Sequence, residues 1–197
     1  MSKEFRVVLV AATSVNGKIT RGDDPHVSDW TSEEDKERFA EIRAAAKVII
    51  IGRKTFEVVN PKPSRDKLRV VLTNTPEKFK EYEVKGQLEF TNENPGELVE
   101  RLKEEGFTEM LLLGGTEAYS SFLEAGLITD VVLTIEPEFF GEGKPLFSEV
   151  PANFSLELQS VERLNKKGTL LVKYKVLNEN HSNFIFSRSF CIYFYRQ

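Results

Sequence analysis

Short, uninterrupted apolar runs are the feature that most constrains the fold of this chain. They cover residues 7–12, 48–51, 70–72, 110–113 and 131–135, and turn residues bound each of them. A strand with one face in water alternates apolar and polar residues, whereas a continuous apolar run is typical of a strand buried on both faces. The pattern therefore predicts a sheet covered by helices on both sides.

Amphipathic stretches separate these runs and predict helices over residues 32–46, 54–59, 96–105 and 116–125. Toward the end, apolar stretches over 154–161 and 169–177 flank a turn that contains Gly168, which is typical of a β-hairpin. We therefore predict an α/β fold with a mostly parallel central sheet, flanked by helices and finished by a C-terminal antiparallel hairpin.

The chain has 197 residues, which is enough for one ordinary domain. We predict that this domain spans residues 1–177. Residues 178–197 form an aromatic-rich C-terminal extension, for which we expect an added edge strand or a strap over an exposed patch. The oligomeric state stays open, with a homodimer as one outcome.

Composition excludes several classes of partner. Lys and Arg total 27 against 31 Asp and Glu, whereas nucleic-acid and anionic-membrane partners require a basic surface. Cys191 is the single cysteine, and neither His26 nor His181 has a partner at ligand spacing, so we predict no metal site. Since neither a signal-peptide pattern nor a membrane-length apolar run occurs, we expect a cytoplasmic protein.

A long polar loop follows the first predicted strand. Asn16-Gly17 is a turn signal, and the polar stretch continues to Trp30. Loops of this length in a compact domain are often lids or binding loops.

Asp35 is the acidic residue that most suggests chemistry. It shares one helical face with Phe39, Ile42 and Ala46, and that face is otherwise apolar. A carboxylate there either caps the helix or is a buried acid whose raised pKa lets it donate or accept a proton in a reaction. Ser32-x-x-Asp35 is itself a capping box, but Thr31-x-x-Glu34 is an equally good one and would leave Asp35 free to point inward.

Two strand-to-helix turns predict anion binding. Residues 52–55 read Gly-Arg-Lys-Thr, where helix N–H groups and two cations suit a phosphate, and an arginine there favours NADP over NAD. Gly114-Gly115 opens another helix and lets the backbone approach a pyrophosphate. A solvated basic turn and tight strand–helix packing are the simpler alternatives, and neither a G-x-G-x-x-G nor a Walker A sequence is present.

Together these features resemble the dihydrofolate reductase superfamily over residues 5–177, including its riboflavin-pathway pyrimidine reductases. Trp30, Asp35 and Phe39 are similar to the tryptophan, catalytic acid and substrate-packing phenylalanine of dihydrofolate reductase. Residues 50–57 resemble its cofactor-binding turn. Residues 14–19, and 122–127 running on to 141–147, look more like the pyrimidine-reductase branch.

The resemblance implies hydride transfer from NADPH to a C=N bond, with Asp35 promoting protonation of the substrate nitrogen. The catalytic residues that it implies are Asp35, Trp30 and Thr134, with Thr134 orienting the Asp35 carboxylate. The implied substrate-binding residues are Val10, Ala11, Asp35, Phe39, Arg65, Arg69 and Thr134. The implied cofactor-binding residues are Ala12, Ile19, Gly52, Arg53, Lys54, Thr55, Leu72, Thr73, Asn74, Gly114, Gly115, Thr116, Glu117 and Tyr119.

Among the small-molecule substrates that the resemblance allows, we expect 7,8-dihydrofolate, reduced to 5,6,7,8-tetrahydrofolate. The alternative is reduction of a 5-amino-6-ribosylamino-pyrimidine 5′-phosphate in riboflavin biosynthesis. That substrate would need a basic cluster near the mouth of the site, for which Lys18, Arg21, Arg65 and Arg69 are the candidates. A third interpretation is a nucleotide-binding module without turnover.

Overall fold

A computed structural model describes residues 5–151 and 153–177 of the chain, so the predicted extension over 178–197 lies outside the described residues. The strands are β1 (Arg6–Ser14), β2 (Val48–Gly52), β3 (Leu68–Leu72), β4 (Leu88–Thr91), β5 (Glu109–Leu112), β6 (Asp130–Glu136), β7 (Ser155–Arg163) and β8 (Leu170–Leu177). They form one sheet in the order β4-β3-β2-β5-β1-β6-β8-β7. Pairing is parallel from β4 to β6 and antiparallel from β6 through β8 to β7, which confirms the predicted fold class.

The α-helices are α1 (Glu33–Ala45), α2 (Arg53–Val59), α3 (Pro95–Glu104) and α4 (Thr116–Glu124), and two 3-10 helices cover Val27–Asp29 and Pro76–Tyr82. Each end of the four α-helices lies within one residue of its predicted position. Within the described ranges, no helix combines the length and apolar character that a membrane crossing requires. Strand β4 was not predicted, because it is short and its Leu88 and Phe90 alternate with polar residues.

The core lies on both faces of the sheet, as the continuous apolar runs predict. Consecutive residues of β1 point to opposite faces, so that Leu9 belongs to one buried cluster and Val8 to the other. Buried residues of α3 and α4 pack in the first cluster, whereas Phe56 of α2 packs in the second. The outermost strand β7 departs from this pattern, since all of its residues are exposed.

Helix α1 is held at both ends by side chains outside it. At its start, Ser32 is the N-cap residue. At its end, the Lys67 ammonium donates hydrogen bonds to the carbonyl oxygens of Arg43, Ala44 and Ala46 at 2.7, 2.6 and 2.7 Å. Carbonyls at a helix C-terminus lack partners within the helix, so a lysine placed there stabilises it. The Lys67 contact joins the end of α1 to the segment that precedes β3.

Candidate active site

One cavity of about 1470 Å³ opens at the carboxyl ends of the central parallel strands. Its wall includes residues from β1 and β6 and from the starts of α1, α2 and α4. Crevices at the carboxyl ends of strands are the usual ligand sites of α/β sheets. Pockets that hold one small ligand usually have volumes up to about 1,000 Å³. The volume of this cavity is larger, so two ligands can share it.

The structure brings most of the predicted site residues to the wall of this cavity. They are Val10, Ala11, Ala12, Ile19, Asp35, Phe39, Gly52, Arg53, Lys54, Thr55, Leu72, Thr73, Asn74, Gly114, Gly115, Thr116, Glu117, Tyr119 and Thr134. Trp30, Arg65 and Arg69 do not line it. The predicted acid and the two predicted anion-binding turns therefore face one space.

Asp35 is the only buried residue of α1, with 7% of its surface exposed. Burial raises the pKa of Asp35 above its ordinary value, and the charge of Glu136 adds to that rise. Hydrogen bonds from the hydroxyls of Thr134 and Thr31 act in the opposite direction, and so does the charge of Lys36. The net result is a carboxyl group that keeps its proton to a higher pH than an exposed aspartate.

The hydrogen bonds of Ser32 at the start of α1 explain why the Asp35 carboxylate does not cap the helix. Ser32 is the N-cap, and its Oγ accepts the Asp35 N–H at 3.3 Å, so the alternative box of Thr31 and Glu34 is not formed. In a complete capping box the Asp35 carboxylate would accept the Ser32 N–H in return. That N–H donates instead to Oε1 of Glu136, at 2.8 Å. Asp35 is free to face the cavity because a residue of β6 takes its place.

The two glycine turns lie against each other. The Gly52 N–H donates to the Gly114 carbonyl at 2.7 Å. Gly114 has a φ of 114°, and a Cβ built there would lie 3.3 Å from the Tyr119 hydroxyl and 3.7 Å from Thr55 Oγ1. Glycine is therefore required at this position. Its backbone, followed by the N-cap Gly115 of α4, fits a pyrophosphate placed at a helix N-terminus.

The cations at the start of α2 already have partners. Both carboxylate oxygens of Glu57 accept from Arg53 Nη1, at 2.7 and 2.8 Å, and Lys54 pairs with Glu117 at 3.1 Å. Exposed ion pairs of this kind contribute little stability, so a phosphate can replace the glutamates at small cost.

Of the two aromatic residues Tyr119 and Trp30, which were both predicted at the site, Tyr119 lines the cavity and Trp30 does not. The Tyr119 hydroxyl donates to the Val10 carbonyl at 2.7 Å, and burial raises the pKa of this tyrosine. The Trp30 ring packs edge-on against Phe140, with 5.0 Å between centroids. Its indole N–H is buried and finds no acceptor among residues 5–151 and 153–177. Tyr119 joins α4 to β1, whereas Trp30 supports the loop rather than contacting the cavity.

The long loop after β1 is bound to the segment that follows β6. Val15 N–H donates to the Glu138 carbonyl and Ile19 N–H to the Lys144 carbonyl, both at 2.8 Å. Further along the loop, His26, Val27 and Ser28 line the cavity. This part of the loop therefore faces the cavity, and its role in binding stays a prediction.

The basic residues at the cavity differ from those that the sequence suggested. Among the phosphate candidates, Lys18, Arg21, Arg65 and Arg69 are all absent from the wall. Arg43 lines it instead, with its guanidinium 5.6 Å from the centroid of Phe39 and no carboxylate partner in the described part of the chain. The spacing of four residues from Phe39 is the signal that could have found it.

Arg69 lies close behind Arg43. Its Nη1 is buried and has no hydrogen-bond partner among the described residues. Burial, together with the charge of Arg43, lowers the pKa of Arg69. The charge of Arg69 behind Arg43 adds to the positive potential at this part of the cavity wall, which favours an anion beside Arg43.

The described ranges contain no group of three or more His, Cys, Asp or Glu side chains that could hold a metal ion.

The raised pKa of Asp35 predicts an effect on stability. A raised pKa means that the folded protein favours the protonated acid, so stability falls as pH rises from the unfolded to the folded pKa. Asp35→Asn removes this cost. We expect the variant to have a higher thermal midpoint than the wild type near neutral pH, and the difference to shrink as the pH falls and to vanish below about pH 4. Asp66→Asn, at an exposed loop position, is the control, and an Asp35→Asn midpoint at or below the wild-type value near neutral pH would contradict the expectation.

Comparison with known proteins gives a family match over most of the chain. The model of the RibD C-terminal domain matches residues 6–170. "Uncharacterized protein YwjB" of Bacillus subtilis (strain 168) is 28% identical over 170 residues, which are 83% of this chain and 94% of that protein.

Two solved structures have similar folds. One is a Thermotoga maritima diaminohydroxyphosphoribosylaminopyrimidine deaminase/5-amino-6-(5-phosphoribosylamino)uracil reductase, with TM-score 0.67 and 21% identity over 88% of this chain and 57% of that chain. The other is Enterococcus faecalis dihydrofolate reductase complexed with NADP(H) and RAB-propyl, with TM-score 0.58 and 19% identity over 87% of this chain and 96% of that chain. The chain belongs to the RibD C-terminal domain family, and its fold is similar to that of dihydrofolate reductase.

Proposed function

We propose that this enzyme uses NADPH to reduce a C=N bond in a 5-amino-6-ribosylamino-pyrimidine 5′-phosphate. The observation that carries the proposal is the single cavity that joins the Gly114–Gly115 turn to the buried Asp35. The family match favours this substrate over the dihydrofolate that the sequence suggested, because the reductase activity named for the Thermotoga maritima relative acts on such a pyrimidine.

The part of the cavity that would bind NADPH lies at the glycine turns. The backbone of Gly114 and Gly115 and the start of α4 would hold the pyrophosphate of NADPH. Arg53 and Lys54 would hold its 2′-phosphate, in exchange for their present carboxylate partners. Bound NADPH supplies the hydride, and the protein contributes alignment and a cavity wall that is largely apolar.

The residues that would deliver the proton lie on α1 and β6. Opening of the ribose ring breaks the C1′–O4′ bond and gives an imine, with O4′ becoming a hydroxyl. Protonated Asp35 can then give its proton to the imine nitrogen while the neighbouring carbon receives the hydride, so that C=N becomes CH–NH. The hydroxyls of Thr134 and Thr31 would orient the carboxyl group, and they favour its charged form. Phe39, one turn further along α1, provides an apolar surface for the pyrimidine ring.

The phosphate of the substrate would bind at Arg43. This arginine lines the cavity on the same helix as Asp35 and Phe39. The other arginine of α1 that lines the cavity, Arg38, is already paired with Glu41 and Glu162 at 2.8 and 3.2 Å. Arg43 is therefore the guanidinium on α1 that is available to an anion.

Dihydrofolate is the second candidate, and one observation favours it. Asp35, Thr134 and Phe39 line one cavity, and these are the residues that resemble the substrate site of dihydrofolate reductase. An aspartate beside a threonine hydroxyl can hold the aminopyrimidine edge of a pterin as well as it can protonate a C=N bond.

The choice of acceptor is tested by following NADPH oxidation by absorbance. We expect turnover with the phosphorylated ribosylamino-pyrimidine and little with dihydrofolate. Asp35→Asn should lower kcat by about 10²–10⁴-fold, because proton delivery is lost, while NADPH affinity stays within about threefold. Asp66→Asn is the matched control. Turnover with dihydrofolate alone would transfer the proposal to the second candidate, and full activity of Asp35→Asn would remove Asp35 from the mechanism.

Arg53→Ala tests the 2′-phosphate contact. Loss of a charge-assisted hydrogen bond should weaken NADPH binding by about 10–100-fold and leave NADH binding nearly unchanged. Dissociation constants from fluorescence titration check this, with Arg65→Ala as the control because Arg65 does not line the cavity. Equal weakening of both nucleotides would show that Arg53 does not distinguish them.

Arg43→Ala tests the phosphate contact of the substrate. The KM for the phosphorylated pyrimidine should rise by about tenfold or more, whereas the KM for the same compound without its phosphate should not change. Arg163→Ala, on the exposed strand β7, is the control. If both KM values rise together, Arg43 contributes to the shape of the site and not to phosphate binding.

A further inference from the structure

Glu136 is a buried carboxylate to which the reaction above gives no role. It is the last residue of β6 and only 4% of its surface is exposed. Its Oε1 accepts hydrogen bonds from Ser32 N and Ser32 Oγ, both at 2.8 Å, and its Oε2 accepts from Thr169 Oγ1 at 2.6 Å. Burying a carboxylate is costly unless its oxygens are well supplied with donors. Three short contacts show that this site is built around the carboxylate.

The partners of Glu136 lie in two different parts of the chain. Ser32 caps α1, and Thr169 is a fully buried residue immediately before the hairpin strand β8. Asn165 Nδ2 donates to Thr169 Oγ1 at 2.9 Å and to Glu34 Oε2 at 3.1 Å, which adds a second connection from the hairpin to α1. Glu136 is thus the point at which the start of α1, the end of β6 and the hairpin meet.

The contact with Ser32 determines what Asp35 can do. Residue N3 of a helix with a serine N-cap ordinarily accepts the N-cap N–H, and Asp35 occupies N3. With the Ser32 N–H donated to Glu136, the Asp35 carboxylate has no backbone donor to hold it at the helix start. The hydroxyls of Thr31 and Thr134 act on its pKa instead, by favouring the charged form.

We propose that Glu136 is a positioning residue for the reductase reaction: it takes the place of Asp35 in the capping box of α1 and so keeps the Asp35 carboxylate in the cavity. The inference rests on the proposed function only in assuming that Asp35 manages the proton. The release of Asp35 itself is a property of the folded chain.

Glu136 also acts on Asp35 through its charge. The charged groups that act on Asp35 are Glu136 from β6, which raises its pKa, and Lys36 from α1, which lowers it. A neutral residue at position 136 should therefore lower the pKa of Asp35. A neutral side chain that made the same hydrogen bonds would not have this effect.

Glu136→Gln isolates the effect of the charge. Glutamine can still accept from Ser32 through its carbonyl oxygen, and its amide can donate to Thr169 Oγ1. The ¹³C resonance of the Asp35 carboxyl, identified by its loss in Asp35→Asn, should titrate at lower pH in Glu136→Gln than in the wild type. The alkaline limb of kcat should move to lower pH by the same amount. Glu138→Gln, at an exposed carboxylate paired with Arg21, is the matched control.

Glu136→Ala isolates the effect of the contact. We expect kcat to fall by about 10–100-fold, because Asp35 turns back to accept the Ser32 N–H, while the KM for NADPH stays unchanged. In the Asp35→Asn background the same change should alter kcat by less than about threefold. Thr169→Val, which removes the hairpin contact and leaves Ser32 in place, should keep most of the activity.

These results separate the proposal from its alternatives. An unchanged Asp35 titration in Glu136→Gln, or an equal loss of kcat from Glu136→Ala in both backgrounds, would overturn it and make Glu136 a structural residue. A loss in Thr169→Val as large as that in Glu136→Ala would assign the role to the hairpin. If the wild type reduces neither candidate substrate, the proposed function fails, and the ¹³C titration still decides the role of Glu136.

Discussion

Parallel pairing of the central strands is the constraint on which the site depends. In register, Gly52 of β2 lies beside Leu72 of β3, and Ala12 of β1 lies beside Thr134 of β6. Because parallel strands end at the same edge of the sheet, the turns that follow them meet there. The 2.7 Å contact of Gly52 with Gly114 is the direct consequence, and it places two helix starts around one cavity.

The chemistry is concentrated where the fold tolerates buried charge. Asp35 and Glu136 are both nearly inaccessible to solvent, and each has hydroxyl or N–H donors close by. Glu136 takes the donors of the helix start, which leaves Asp35 with threonine hydroxyls and a raised pKa. The same arrangement that costs stability near neutral pH gives Asp35 a proton to deliver.

Several features were predictable because their signals are local. Apolar runs and amphipathic periods predicted the ends of the four α-helices to within one residue, and Asp35 and Phe39, which share a predicted face, both line the cavity. Strand β4 was not predicted because a four-residue edge strand, in which only Leu88 and Phe90 are apolar, has too weak a hydrophobic pattern. The place of Arg43 at the cavity wall was not predicted because a cation on an amphipathic helix ordinarily faces solvent.

The amino-acid sequence alone determined the strands, the helices, the two glycine turns and the acid on α1, since each depends on residues a few positions apart. It left open which capping box would form, because Ser32 and Thr31 are locally equivalent candidates. Only the tertiary structure decided this, by placing Glu136 within 2.8 Å of Ser32 across 104 positions of the chain. A hydrogen bond between such distant residues depends on the packing of whole elements, which local periodicity does not encode.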